Sequence, residues 1–397
     1  MINFTWTDSA ELFDDDCLVE KITFDNKMDF SEHLFIEGDN YPVLKFLLQK
    51  KNFSGKVNLI YIDPPYNTGK DFTYDDNFSH FQDKHSAWLS FMSRRLNCAK
   101  QLLSSSGCIF IAIDQSELYY LKLLCDQIFG EENFVNDFMW LHGKGKKDSW
   151  SRTLQQHTLC YAKNKKLLKP FKEITFSNWA KKNLDGDSRG NWFSGSISFS
   201  EKRSNPNHKN FYEIKSPSGK IWKRQWQVSK DEMEALINEN KIYWGKSPSY
   251  NQVPRVKIFN DSPTEVIPKN LIDCVESTRS AQNHVDNLLG RKNIFDNPKP
   301  VDLIEHLIRI TQQSSDSIIM DFFAGSGTTF EAVCNLNKED NGKRRCILVQ
   351  KPEIIKNPVC EDSKTGFSKI SEITEARCKK VSELNKTSFT TCRLIFN

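Results

Sequence analysis

The run Val57-Asn58-Leu59-Ile60-Tyr61-Ile62 passes without a break into Asp63-Pro64-Pro65-Tyr66. So apolar a stretch is a strand buried on both faces, the kind found in parallel sheets covered by helices. Proline cannot donate to a strand ladder, so the strand must stop at Asp63. In open α/β sheets the ligand crevice lies beyond the carboxyl ends of the strands, which puts this tetrapeptide where chemistry occurs. Two consecutive prolines fix φ twice and hold the preceding residues extended, a stiff platform for a carboxylate, a free carbonyl and an aromatic face.

Similar apolar runs recur. The spacing predicts strands at His33 to Glu37, Val57 to Ile62, Cys108 to Ile113, Phe134 to Leu141, Thr158 to Ala162, Ile318 to Phe323 and Arg345 to Val349. Helical periodicity covers Tyr41 to Lys50, His85 to Leu103, Ser116 to Phe129, Val301 to Thr311 and Thr328 to Asn335. A further helix, Ser368 to Leu384, carries Ile370, Ile373 and Ala376 on one face and is expected to pack on the sheet. The reading is an α/β fold with a seven-stranded sheet built from both ends of the chain.

Charge marks what lies between those ends. The whole chain has 55 Lys and Arg against 51 Asp and Glu, a balance that excludes a histone-like or disordered polyelectrolyte. From Leu141 to Asn260 there are 24 Lys or Arg against 10 Asp or Glu, and six of the nine Trp. A basic module is therefore set in an acidic host, and the expected domains are 1–163, an insert at 164–290, and 291–397. Lys144, Lys146, Lys147 and Arg152 fall in a Gly- and Ser-containing loop; Lys202, Arg203, Lys209, Lys223 and Arg224 are interleaved with Trp192, Phe211, Trp222 and Trp226. Cations collect phosphates and aromatic faces stack on bases, so these residues are candidates for nucleic acid. The eleven Cys are scattered, with no pair at zinc-finger spacing, pointing to a reducing compartment and no metal. No apolar run approaches a membrane span, so the expectation is a soluble protein with no membrane partner.

The Asp63 platform suits a planar amino-heterocycle. The lone pair of an aromatic amine is delocalised into the ring, making the nitrogen a poor nucleophile. The Asp63 carboxylate and the Pro64 carbonyl accept both amine hydrogens and draw the nitrogen towards a tetrahedral form, while Tyr66 stacks through its face, a task Phe would also serve. The plainer alternative is a strand-end turn in which Asp63 caps and Tyr66 packs. A second signal is Asp321-Phe322-Phe323-Ala324-Gly325-Ser326-Gly327-Thr328-Thr329, a strand entering a glycine turn and then a helix, whose first amides suit an anion. It is no P-loop, since no Lys follows the second Gly. Gln350 closes the next strand, where a nucleoside site wants a polar group. Glu37-Gly38-Asp39-Asn40 ends another strand, where Asn40 caps or Asp39 accepts from an adenine amine.

Taken together, DPPY followed by NTG, the preceding GDN, and DFFAGSGTT introduced by Asn297-Pro298-Lys299-Pro300 resemble the beta class of DNA amino-methyltransferases, above all the Mod subunits of type III restriction-modification systems. The likeness covers Phe35 to Ala162 and Asn297 to Leu384. It implies a Rossmann-like methyltransferase sheet in circular order, DPPY before FxGxG, with an inserted target-recognition domain. Catalysis would fall to Asp63, Pro64, Pro65 and Tyr66. S-adenosylmethionine would be held by Asp39, Asn40, Asp63, Lys299, Asp321, Phe322, Phe323, Gly325, Ser326, Gly327, Thr328 and Gln350. The implied reaction is transfer of a methyl group to N6 of a flipped adenine in double-stranded DNA, by a homodimer in a prokaryotic cytoplasm, nucleoid-associated, with a restriction subunit as a further partner or as an orphan modification enzyme. Cytosine-N4 methylation uses the same chemistry and stays open, as does a catalytically silent DNA-recognition subunit. Cytosine-C5 methylation needs a thiolate nucleophile, and the sequence has no Pro-Cys dipeptide.

Overall fold

The chain enters the main sheet through a short strand, β1 (Ile22–Phe24), and then β2 (His33–Glu37). The computed structural model describes residues 5–7, 22–50, 53–69, 76, 78, 83–142, 150–176, 183–259, 263–355 and 366–396. Helix α1 (Asn40–Gln49) starts where the Asp39 carboxylate accepts from the Tyr41 amide at 3.0 Å, with Pro42 in its first turn. Then follow β3 (Val57–Ile62), α2 (Lys84–Leu102), β4 (Leu103–Ile113), α3 (Leu118–Phe129), β5 (Phe134–Leu141) and β6 (Gln155–Ala162). Pairing of β3 with β4 slips between Val57 and Leu59. There a Cβ on Gly107 would stand 2.9 Å from the Val57 carbonyl, so only glycine lets β4 approach.

The chain next forms a separate unit, Lys172–Ile267. It holds β7 (Glu173–Phe176), β8 (Trp192–Ser196), β9 (Phe211–Lys215), β10 (Ile221–Gln225), α4 (Lys230–Asn238), β11 (Ile242–Tyr243), β12 (Arg255–Phe259) and β13 (Pro263–Val266). Strands β7 and β13 pair antiparallel at its two ends, β9 pairs with β10, and β12 lies between β8 and β11. Trp226, fully buried, centres a core with Ile197, Ile214, Met233, Ile242 and Trp244, and its Nε1 donates to the Tyr212 carbonyl at 2.9 Å. Trp192 is buried too, against Tyr243. Two of the four aromatics expected to meet bases are therefore core, because a unit this small needs its largest side chains to exclude water. Its bounds are also narrower than the expected 164–290.

The return to the first unit adds β14 (Leu271–Ile272), α5 (Thr278–Leu289), α6 (Val301–Ile310), β15 (Ile318–Asp321), α7 (Thr328–Asp340), β16 (Arg345–Gln350), α8 (Ile370–Asn385) and β17 (Phe389–Phe396). The sheet has ten strands in the order β1-β17-β2-β16-β15-β3-β4-β6-β5-β14, against the seven expected. The added strands are β1 and β14, too short to leave a pattern, and β17, whose Thr-Thr-Cys-Arg centre hides its alternation. From β17 to β4 the neighbours run parallel. Beyond the slip at Val57 the side chains of β3 alternate between faces: Ile60 and Ile62 join α1, α2 and α3 in one core, while Leu59 and Tyr61 join α6, α7 and α8 in the other. The result is a three-layer α/β/α sandwich, the Rossmann-like form expected.

The core of the smaller unit gives a direct test. Trp226→Ala removes both its largest buried side chain and a hydrogen bond, and is expected to cost about 3–5 kcal/mol in chemical denaturation.

Candidate active site

Strands β3 and β15 are hydrogen-bonded neighbours, with Ile319 opposite Leu59 and Met320 opposite Ile60. The two motifs, far apart in sequence, thus leave the same edge of the sheet side by side. From β3 the chain crosses towards β4, and from β15 towards β16 on the other side, so the gap between them is the topological switch point where α/β sheets bind ligands. The Asn58 side chain locks the register by accepting from the Ile318 amide at 2.9 Å. A solvent-open crevice of about 750 Å³ lies at this point, walled by Asp63, Pro64, Pro65 and Tyr66 on one side and Phe323, Gly325, Ser326 and Thr328 on the other, with Lys299, Asp321 and Gln350 completing it.

Asp63, Tyr66 and Lys299 form a closed triangle. The Tyr66 hydroxyl donates to Asp63 Oδ1 at 2.5 Å, and Lys299 Nζ donates to Asp63 Oδ2 at 2.7 Å and to the Tyr66 hydroxyl at 3.0 Å. Tyr66 is therefore more than a stacking face: its hydroxyl holds the carboxylate, a role the ring-only reading did not include. Lys299 is buried, delivered by a turn in which Asn297 takes positive φ between Asp296 and Pro298. The Pro65 carbonyl is occupied by Trp88 Nε1 at 2.7 Å, whereas no described residue donates to that of Pro64. Each carboxylate oxygen has two lone pairs, so Asp63 keeps acceptor capacity beside the open Pro64 carbonyl.

The segment after Tyr66 is braced from beneath. Asn67 adopts positive φ, its amide donates to Asp76 Oδ1 at 2.9 Å, and its Nδ2 donates to Glu117 Oε1 at 2.7 Å. Glu117 is fully buried, which pushes its carboxyl up, while Asn67 and His85 pull it back. Across the crevice, Gly325 at φ +52° leaves room for Phe295, whose Cζ would lie 3.1 Å from an added Cβ. The Gly325 amide donates to Gln350 Oε1 at 2.7 Å, and its carbonyl accepts from Thr374 Oγ1 at 2.6 Å. Buried Arg377 on α8 donates to Ser326 Oγ and Thr328 Oγ1, both at 2.9 Å, and pairs with Glu331 on α7 at 2.8 Å. Glu331 in turn lies 2.7 Å from His284 Nε2, an interaction that raises the imidazole pKa.

Several sequence candidates sit elsewhere than expected. Asp39 caps α1 and meets Arg95 at 3.2 Å; Asn40 donates to the Phe322 carbonyl at 2.7 Å; Phe322 is core; Gly327 is the positive-φ cap of α7. None of these four lines the crevice. Asp321 does, but Oδ1 accepts from the Phe323 amide at 3.0 Å and Oδ2 from Thr329 Oγ1 at 2.6 Å, so it shapes the turn. Tyr61, Phe295, Asn297, Glu353 and Ile370 join the lining without having been assigned to the site from the sequence. Glu353, three residues beyond Gln350, brings a further carboxylate to the lining. Among the cations, Arg152, Lys202 and Arg203 are exposed, Lys223 lies 3.0 Å from Glu213, and Arg224 lies 2.8 Å from Glu201. Lys144, Lys146 and Lys147 lie outside the described residues. Among the described residues there is no cluster of metal-ligand type and no helix long and apolar enough to cross a membrane.

Burial lifts the Asp321 carboxyl to about 7, with the nearby Asp63 charge adding to the shift. The folded chain then binds this proton more tightly than the unfolded one, whose carboxyl titrates near ~3.9. Stability is therefore expected to fall as pH rises between those two values. Asp321→Asn should flatten this part of the profile in denaturant midpoints measured across pH.

A family model described as DNA methylase, N6_N4_Mtase, matches residues 57–375. The chain is 34% identical over 380 residues to the type III restriction-modification enzyme StyLTI Mod subunit of Salmonella typhimurium, covering 88% of this chain and 57% of that protein. It is 34% identical over 426 residues to the EcoPI Mod subunit of Escherichia phage P1, covering 91% and 63%. The type II methyltransferase M.KpnI of Klebsiella pneumoniae is 32% identical over 376 residues, with 87% of each chain covered. The chain thus spans about three fifths of the length of the two Mod subunits. With DPPY and the glycine turn side by side in one crevice and the match running through both, the chain belongs to the DNA methylase family.

Proposed function

We propose that the protein methylates the exocyclic amine of a base in duplex DNA, with adenine N6 as the acceptor and S-adenosylmethionine as the methyl donor. The observation that carries this is the Asp63–Tyr66–Lys299 triangle facing the glycine turn across the switch-point crevice. The crevice fits such a donor: among the described residues the hydroxyl of buried Tyr61 in its lining has no hydrogen-bond partner and α7 begins there without a side-chain cap, while Gln350 and Glu353 would be available to ribose hydroxyls. When bound, the donor supplies an electrophilic sulfonium methyl.

The residues of this chain then have separable tasks. Asp63 and the Pro64 carbonyl accept the two amine hydrogens and raise the nucleophilicity of the nitrogen. Tyr66 offers its ring to the base and its hydroxyl to Asp63. Lys299 orients Asp63 through its hydrogen bond to Oδ2, a preorganised arrangement whose worth increases as charge develops on the amine. A base inside a duplex cannot reach this crevice, so the target must be flipped out. The basic unit and Lys144, Lys146, Lys147 and Arg152 would hold the phosphates. The names of the Mod relatives support a restriction subunit as partner, and a homodimer in a prokaryotic cytoplasm belongs to the same reading.

Asp63→Ala is expected to lower the methylation rate at least about 100-fold while leaving donor binding, measured by calorimetry, nearly intact. Tyr66→Phe keeps the ring and removes the hydroxyl that holds Asp63, so its rate should fall between those of wild type and Asp63→Ala. To identify the product, mixed-sequence DNA is methylated with isotopically labelled donor, digested, and its nucleosides are analysed by mass spectrometry. N6-methyladenine is expected. Label in N4-methylcytosine would move the substrate and spare the mechanism, and label in 5-methylcytosine would overturn both.

A further inference from the structure

We propose that the Ser204–Asn210 loop of the smaller unit, with Arg203 at its base, reads DNA bases: Arg203 pairs with a guanine and Asn207 with an adenine, while Lys202 and Lys209 hold adjacent phosphates. This rests on the DNA reading above and assigns its specificity to named side chains.

Pairing separates the cations of this unit into two groups. Lys257 is buried and pairs with Asp185 and Asp187, Arg189 pairs with Asp187, and Arg224 pairs with Glu201, so their charges are already neutralised within the fold. Lys202, Arg203 and Lys209 are exposed and form no ion pair or side-chain hydrogen bond among the described residues; Lys215, Lys230 and Lys246 are likewise unpaired but scattered over the unit, whereas the first three are close together. They flank or lie within one seven-residue loop that also carries three Asn and a His.

That loop is held rigidly through its own backbone. The Asn205 amide donates to the Gln225 side chain at 2.8 Å, and the Gln225 amide donates to Ser204 Oγ at 3.3 Å. Asn205 Oδ1 accepts from the Asn207 amide at 3.0 Å, and His208 Nδ1 accepts from the Asn210 amide at 3.1 Å. The Asn210 carbonyl accepts from the amide of fully buried Trp226 at 2.9 Å, which seats the loop on the core of the unit. Asn205 and His208 thus spend acceptors on the loop itself. The exposed Asn207 side chain has no such duty and offers an acceptor and a donor together.

Those free groups match base edges. A guanidinium fork fits the O6 and N7 acceptors of guanine, and an amide fits the N6 donor and N7 acceptor of adenine. An ammonium on a flexible stem suits a phosphate. The bracing fixes the backbone, so the Arg203 fork and the Asn207 amide are presented together from one anchored loop.

The test incubates wild type, Arg203→Ala, Arg203→Lys, Asn207→Ala and Lys202→Ala/Lys209→Ala with a randomised duplex library, sequencing both the bound and the methylated fractions. Arg203→Ala is expected to lose about 5- to 150-fold of the preference for guanine at one position, and Asn207→Ala the same for adenine at another. Arg203→Lys should recover part of the first. The double lysine variant should weaken binding to all sequences alike, with a salt-dependence slope shallower by about 1 for each phosphate that is no longer neutralised. Sequence-selective binding without methyl transfer would sink the catalytic reading and support this one. Unchanged sequence profiles in Arg203→Ala and Asn207→Ala would overturn this inference and leave the methyltransferase reading standing.

Discussion

Parallel pairing of β3 with β15 is the constraint on which the site depends. It brings Asp63 and the glycine turn to one edge although most of the chain lies between them, and a one-residue slip would turn every side chain of either strand to the opposite face. Ile60 and Ile62 would then leave their core, along with the direction in which Asp63 points. The register is secured at the far end, where Asn58 binds the first amide of β15. A polar residue inside an apolar strand thus fixes the alignment of the two motifs that line the crevice.

Much of this was legible in the sequence because the signals were local. A buried strand stopped by two prolines, and another running into Gly-Ser-Gly, each announce a strand end, and the order of the two motifs implies a chain that returns to its own sheet. What stayed hidden depends on long-range contacts. Thr374, Arg377 and Glu331 look like ordinary helical residues, yet they hold the glycine turn from behind. Asp39 and Asn40 carry the residue types of a binding loop but are used to start α1 and to tie it to Phe322. Composition could not distinguish these uses, since Asp and Asn suit caps and ligands alike.

The basic middle third shows the same division. Its excess charge was plain, but the structure shows that the excess is not spread evenly over function. Lys257 and Arg189 are bound to carboxylates inside the unit, and Trp192 and Trp226 fill its cores. Aromatics interleaved with cations are as much the signature of a small unit short of core volume as of a nucleic-acid surface. Only pairing and burial separate the two.

The glycine turn is braced by buried charged groups, whereas Asp63 is held at the edge of the crevice. Arg377 and Glu331 form a buried pair with His284 as third member, and Arg377 donates to two hydroxyls of the turn. Such an arrangement contributes less to net stability than to fixing one geometry, because charges without partners cannot be left buried. Asp63 is different: partly exposed, held by two donors, and with lone pairs still open to the crevice. Under the proposed transfer, the braced wall would position one reactant and the held carboxylate the other, and orientation of two separately bound molecules supplies much of the rate.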